Sequence, residues 1–152
     1  NQFDCQHAVI NKFVKDSLKK QVKQGLSVAY ALLEEDGATQ RFAGFFTIAS
    51  HTIALSALGA LQRGGLPKTI PCVRLIMLGV HHAYAGQGLG LQLMNHALDI
   101  VKVGAQSIGS YGLYLDADAG AFGFYQKLGF VPLEGDKSPA PSPMFLPMSA
   151  IP

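Results

Sequence analysis

The residues with the most chemical promise lie in residues 84–100, YAGQGLGLQLMNHALDI, where Gly86, Gly88 and Gly90 occupy every second position ahead of an amphipathic run. Glycines at a strand-to-helix turn let main-chain N–H groups face outward at no steric cost. The N-terminus of the following helix adds unbonded donors and partial positive charge, so the two together form an anion site suited to a phosphate or diphosphate. The spacing is not GxGxxG, and Gly90-Leu91 is not the Gly-Lys-Ser/Thr of a Walker loop, which excludes the two commonest nucleotide motifs. Spacing alone leaves a second reading open, a turn that merely lets a helix pack close to a sheet.

Other chemistry-bearing residues are few. Tyr125 sits in FYQKLGF, and a phenol with a pKa of about 10 is a competent proton donor near neutral pH; it also reads as a core aromatic beside Phe122 and Phe124. His81 and His82 are adjacent, and an imidazole can take a proton from an ammonium substrate, though a solvated loop pair fits as well. His7, His51, His81, His82 and His96 do not show a zinc-ligand spacing, so no metal is expected. Lys12, Lys15, Lys19 and Lys23 recur at three- and four-residue steps, with Lys20 beside them and Asp16 as the one nearby interruption. Such a stripe is either a solvated helix face or a surface for phosphates.

The elements that must position these residues read as mixed α/β. Ile10, Phe13, Val14, Leu18 and Val22 give residues 8–24 one apolar helical face, stopped by Gly25. Residues 27–33 and 41–48 read as a hairpin with its turn at residues 34–37. A short helix over residues 54–62 and a proline-marked loop over residues 66–72 follow. Residues 73–80, VRLIMLGV, read as a central strand buried on both faces. The best helix is residues 88–103, with Leu91, Met94, Leu98 and Val101 on one stripe. A strand at 112–115, a helix at 119–128 closed by Gly129, a polar proline-rich loop at 136–143 and a last strand at 144–148 complete the chain. The absence of an internal repeat or linker predicts one domain over residues 1–152.

The chain has 152 residues, 49% apolar and 14% charged, and a net charge of +2. That is a globular composition, and it excludes a disordered chain. The low charge points to apolar surface covered by a partner or a second copy. Cys5 and Cys72 lie far apart with no CxxC, which predicts a reduced, cytoplasmic protein with no leader peptide. Residues 42–61 carry no formal charge, but Ser50, His51, Thr52 and Ser56 interrupt them, so they read as a strand and a following helix or turn rather than a membrane span.

Residues 118–130, DAGAFGFYQKLGF, together with the glycine turn, resemble the GNAT acetyltransferase superfamily. FDCQHAVINKFV, SVAY, LPKTIPCVRL, LGVHHAYAGQGLG and MFLPM further resemble the toxins of type II toxin–antitoxin modules, over residues 3–148. The resemblance implies a GNAT fold: a mixed, mostly antiparallel sheet flanked by helices, with a first strand expected ahead of Phe3. It implies acetyl-CoA as cosubstrate, bound by Ala85, Gly86, Gln87, Gly88, Leu89 and Gly90, by the main chain of Leu78 and Val80, and by Asp118, Ala121 and Phe124. Ala85 stands where the family has Gln or Arg, Asp118 where it has Asn, and His81 where this branch has Asp. The resemblance makes Tyr125 the general acid facing the CoA sulfur. It implies acetylation of the amino group of aminoacyl-tRNA, which halts translation, with Lys12, Lys15, Lys19, Lys23, Arg41 and Arg74 as RNA contacts. A DNA-binding antitoxin and a homodimer are the implied partners. The alternative is a GNAT enzyme acting on a small-molecule or protein amine, and a third reading is a non-catalytic CoA-binding module.

Overall fold

The computed structural model describes residues 3–37, 39–133 and 141–151. Helix α1 (Ala8–Asp16) begins where Nδ1 of His7 accepts the N–H of Ile10 at 3.4 Å. The single helix expected over residues 8–24 is two helices. Ser17 leaves helical geometry at φ −125°, and α2 (Leu18–Lys23) resumes beyond it. The apolar period hides the break because Leu18 still packs on the Phe13, Val14 and Phe45 cluster, whereas Val22, expected on the same face, is 42% exposed.

Strands β1 (Val28–Asp36) and β2 (Thr39–Ala54) pair antiparallel from Val28↔Ile48 to Asp36↔Thr39. Both are longer than expected. Glu34 and Glu35 therefore belong to the strand, which runs to Asp36, and Gly37 follows at φ +63°. The register runs Leu32↔Gly44 and then Leu33↔Phe42, so Ala43 is an inserted bulge residue. A bulge exchanges the faces of the strand beyond it. Phe42 and Phe45 thus share one face, where both rings meet Phe3 at 5.0 and 5.6 Å. Gly44 and Phe46 share the other.

A 3-10 helix (Leu55–Leu61), kinked at Gly59, leads to β3 (Thr69–Val80). The loop expected over residues 66–72 gives way to strand at Thr69. Pro71 hid this, since it has no N–H for a ladder; here its carbonyl accepts the N–H of Tyr111 at 2.8 Å, while Ile70 and Cys72 point inward. From Val73 on, only Leu75 and Gly79 are fully buried, so the strand is less enclosed than its apolar run suggested. Helix α3 (Leu89–Ile108) is longer than expected, and its buried stripe is Leu93, Met94, Ala97, Leu98 and Val101. Leu91, placed on that stripe from the sequence, is 44% exposed.

Strand β4 (Gly112–Ala117) pairs antiparallel with β6 (Ser142–Pro147). Gly112 permits that pairing, since a Cβ there would strike the carbonyl oxygen of Leu146 and the ring of Phe145. Helix α4 (Phe122–Lys127) is shorter than the expected 119–128, and β5 (Val131–Pro132), not expected, pairs with β6. Most of the proline-rich loop expected at 136–143 lies outside the described residues.

The six strands form one sheet in the order β1-β2-β3-β4-β6-β5. The chain divides into two compact units, with β2, β3 and α3 each contributing to both. One unit holds the described residues up to Ala49 with Leu75–Ala97, and its core is the cluster of Phe13, Val14 and Phe45 with Phe3, Ile10, Phe42, Ile76 and Met77 around it. The other holds Ser50–Arg74 with the described residues from Leu98 on, built on Ile53, Leu58, Ile70, Cys72, Leu133 and Phe145. Among the described residues, no helix is long and apolar enough to cross a membrane.

Candidate active site

The glycine turn is formed in the first unit. β3 ends at Val80, a one-turn 3-10 helix (His82–Tyr84) follows, and Ala85 leads extended into the glycines. Gly86 and Gly88 adopt φ +77° and +75°, a conformation other residues enter only at a cost. Gln92 makes a main-chain bond to the carbonyl of Gly88 at 3.1 Å, which leaves the N–H groups of Leu89, Gly90 and Leu91 ahead of the α3 ladder. A Cβ added at Gly86, Gly88 or Gly90 would meet nothing within 4 Å, so the protein's own packing does not require glycine at these points. The turn is exposed from Ala85 to Gly88. These are the features of an anion cradle: N–H groups at Leu89, Gly90 and Leu91 ahead of the helical ladder, open space at the glycines and a 20-residue helix behind.

The end of β3 is held on one side by β2 and by the segment ahead of α1. His81 donates its main-chain N–H to Ala43 at 2.8 Å, and its Nδ1 lies 2.8 Å from the carbonyl oxygen of Asp4. His82 donates its main-chain N–H to that same carbonyl. The main chain of the pair and the His81 ring are therefore fastened to the N-terminal segment, while His82 remains exposed. The carboxyl of Asp4 is held below the usual carboxylate range by the N–H of Gln6 and the amide of Asn11. Gly79 shows how close this packing is, since a Cβ there would press on Ile10, Phe45 and Phe3 at 3.0–3.3 Å.

In the second unit, α4 presents Tyr125, 9% exposed, with its ring against Phe124 and Phe130 at 5.2 and 5.6 Å. Its main-chain carbonyl accepts from Leu128 and Phe130, which fixes the turn at Gly129. Burial, reinforced by the negative charge of Asp118, pushes the Tyr125 phenol up to about 12. The group is thus a neutral donor throughout the physiological range. Asp118 itself anchors α4, its carbonyl accepting the N–H groups of Ala121 and Phe122. Phe124 is 37% exposed, and Ala121 is half-buried at the start of the helix.

The basic residues separate by environment. Lys12, Lys15, Lys19, Lys20 and Lys23 are all exposed, but the break at Ser17 divides them between α1 and α2, and Lys12 pairs with Asp16 at 3.1 Å. Lys12 and Lys15 also line a hollow of about 480 Å³ with Phe3, Asn11, Val14 and Asp16. Arg74 sits on β3 with its guanidinium 3.1 Å from Asp116 and 5.8 Å from the centre of the Tyr114 ring. Tyr114 donates to the same carboxylate at 2.9 Å. His51 lies 4.8 Å from the Tyr114 ring, and burial beside Arg74 lowers its pKa. This polar group on β2, β3 and β4 carried no sequence signal, because His51, Arg74 and the Tyr114–Asp116 pair stand more than twenty residues from one another along the chain. Among the described residues, no group of three His, Cys, Asp or Glu side chains could hold a metal ion.

The acetyltransferase (GNAT) domain family matches residues 29–132, a span holding both the glycine turn and Tyr125. The chain belongs to the GNAT acetyltransferases. It is an N-acetyltransferase by family, and solved structures narrow the likeness to toxins of toxin–antitoxin modules. A bacterial toxin is 37% identical with a TM-score of 0.90, over 99% of this chain and 83% of its own. AtaT complexed with acetyl-methionyl-tRNAfMet is 29% identical with a TM-score of 0.88, over 99% and 88%. A tyrosine-to-phenylalanine mutant of AtaT, bound to the C-terminus of the antitoxin AtaR and to acetyl-CoA, is 28% identical with a TM-score of 0.81, over 99% and 86%.

Proposed function

We propose that this GNAT acetyltransferase is a toxin that moves the acetyl group of acetyl-CoA onto the amino group of aminoacyl-tRNA and so blocks translation. The observation that carries this reading is the likeness, over 99% of the chain, to AtaT in complex with acetyl-methionyl-tRNAfMet. The glycine cradle supports it with the chemistry that a CoA diphosphate requires.

In this reading the main chain of residues 86–90 holds the diphosphate, and the amides of Leu78 and Val80 hold the pantetheine and polarise the thioester carbonyl as it gains charge. The neutral amine attacks the carbonyl carbon, the C–S bond breaks, Tyr125 gives the departing sulfur its proton, and the proton lost by the acylated nitrogen restores the phenol. The raised pKa of that phenol suits the role, because it keeps the donor protonated. Lys12, Lys15, Lys19, Lys23 and Arg74 are the proposed contacts to RNA, Arg74 through whatever part of its fork the Asp116 pair leaves to a phosphate. The protein works in the cytoplasm as a single acetyltransferase domain. It forms a homodimer and is silenced by a DNA-binding antitoxin, as AtaR binds AtaT. Apolar side chains left exposed, among them Val22, Leu26, Val28 and Ile108, support a partnered surface.

The test is transfer of label from acetyl-CoA to total aminoacyl-tRNA, followed by identification of the acetylated amino acid. Label in the aminoacyl fraction is the expected result. CoA release with polyamines but not with charged tRNA would replace this reading with a small-amine acetyltransferase.

A further inference from the structure

The glycine cradle lacks a cation of its own. From Val80 to Asn95 the chain contains no Lys or Arg, and the first charged residue of α3 is Asp99. A diphosphate seated on residues 86–90 would therefore meet main-chain donors, the methyl of Ala85 and the amide of Gln87, with no fixed positive charge from that loop.

The neighbouring strand brings one. Because Ala43 is a bulge, Arg41 pairs with Glu34 on the sheet face of Gly44 and Phe46, not on the face of Phe45. That face is the one α3 covers. Leu93 lies against Gly44, and His96 lies 5.6 and 6.0 Å from the rings of Tyr30 and Phe46. Arg41 lies farther along β2 toward the hairpin tip, in the direction of the start of α3. Tyr84, two residues before Gly86, completes the link, its hydroxyl donating to Glu34 and accepting from Arg41. The guanidinium is thus tethered to the segment that enters the cradle.

We propose that Arg41, aligned by Tyr84 and Glu34, is a phosphate ligand of acetyl-CoA, supplying the positive charge that the glycine turn lacks. This rests on the acetyl-CoA reading of that turn, and it moves Arg41 from the RNA contacts to the cosubstrate site. An arginine fork suits the task, since it can give two parallel N–H bonds to a phosphate while keeping a neutral partner.

The test is calorimetric titration of acetyl-CoA into the parent, Arg41→Gln and Tyr84→Phe proteins, each first shown to melt as the parent does. Acetyl transfer to total aminoacyl-tRNA from S-acetyl-pantetheine, which lacks the diphosphate, is measured alongside. Arg41→Gln should weaken acetyl-CoA binding roughly 10- to 100-fold, the scale of one charge-assisted hydrogen bond. Tyr84→Phe, which removes the tether but keeps the charge, should weaken it roughly 2- to 10-fold. Transfer from S-acetyl-pantetheine should be equal in parent and Arg41→Gln. Acetyl-CoA affinity within twofold of the parent in both variants overturns the assignment, and loss of tRNA acetylation at that unchanged affinity returns Arg41 to the RNA. If Arg41→Gln fails to fold, Tyr84→Phe alone decides. A parent that binds no acetyl-CoA overturns the underlying reading instead, a result distinct from any of these.

Discussion

At the scale of single residues, the useful contrast is between Tyr125 and the other buried ionisable groups. Tyr125 carries its proton because burial and Asp118 disfavour the phenolate. Tyr125→Phe keeps the ring contacts to Phe124 and Phe130 and removes only the donor. It should melt with the parent and bind acetyl-CoA equally, yet lose about 10²-fold or more in turnover, measured by release of CoA. Of the groups whose pKa is raised, three move furthest: Cys72 from 9.0 to about 11 by burial, and Tyr114 and Tyr125 from 10.0 to about 12. For each, the folded state holds its proton more tightly than the unfolded chain. Their contribution is therefore complete below pH 9 and is lost as pH rises through 9–11 for the thiol and 10–12 for the phenols. Melting temperature should be flat on the alkaline side up to about pH 9 and fall beyond it, a loss that Tyr125→Phe should reduce.

At the scale of elements, the turn between β3 and α3 separates what the fold needs from what a ligand needs. Gly86 and Gly88 are fixed by their positive φ, but Gly90 lies within α3 with open space where a Cβ would stand. Alanine there favours the helix. Gly90→Ala should therefore melt at the parent temperature or above. If a diphosphate rests on that backbone, the same methyl should cost about 1–3 kcal/mol of acetyl-CoA binding, the usual penalty for crowding a filled contact. Calorimetry and a melting curve on the one variant read the two effects separately, and undiminished affinity would remove the cradle from the acetyl-CoA site.

At the scale of the whole molecule, a net charge of +2 conceals a local concentration of lysines on α1 and α2. The break at Ser17 makes these two short basic surfaces instead of one long stripe, and Lys12 is already offset by Asp16. The triple change Lys15→Glu, Lys19→Glu and Lys23→Glu leaves that pair intact. It should abolish tRNA acetylation and leave acetyl-CoA affinity unchanged, with transfer assayed across a salt series to expose the phosphate contribution. Persistent acetylation would return the stripe to solvent.

The sequence by itself determined the local chemistry: the glycine turn, the aromatic run around Tyr125, most of the apolar stripe of α3, and the order of strands and helices that marks a GNAT domain. These are legible because they depend on neighbours a few residues apart. It did not show the break at Ser17, the strand running through Pro71 or the exposed side of Leu91, since packing against distant segments decides each of them. The bulge at Ala43 belongs with these. It turns Arg41 toward the face that α3 covers, and neither it nor the Glu34–Tyr84–Arg41 link can be read from a chain in which Arg41 and Tyr84 stand more than forty residues apart. Which backbone donors a chain can offer is written locally, whereas the charge that accompanies them depends on strand register, and only the tertiary structure sets that.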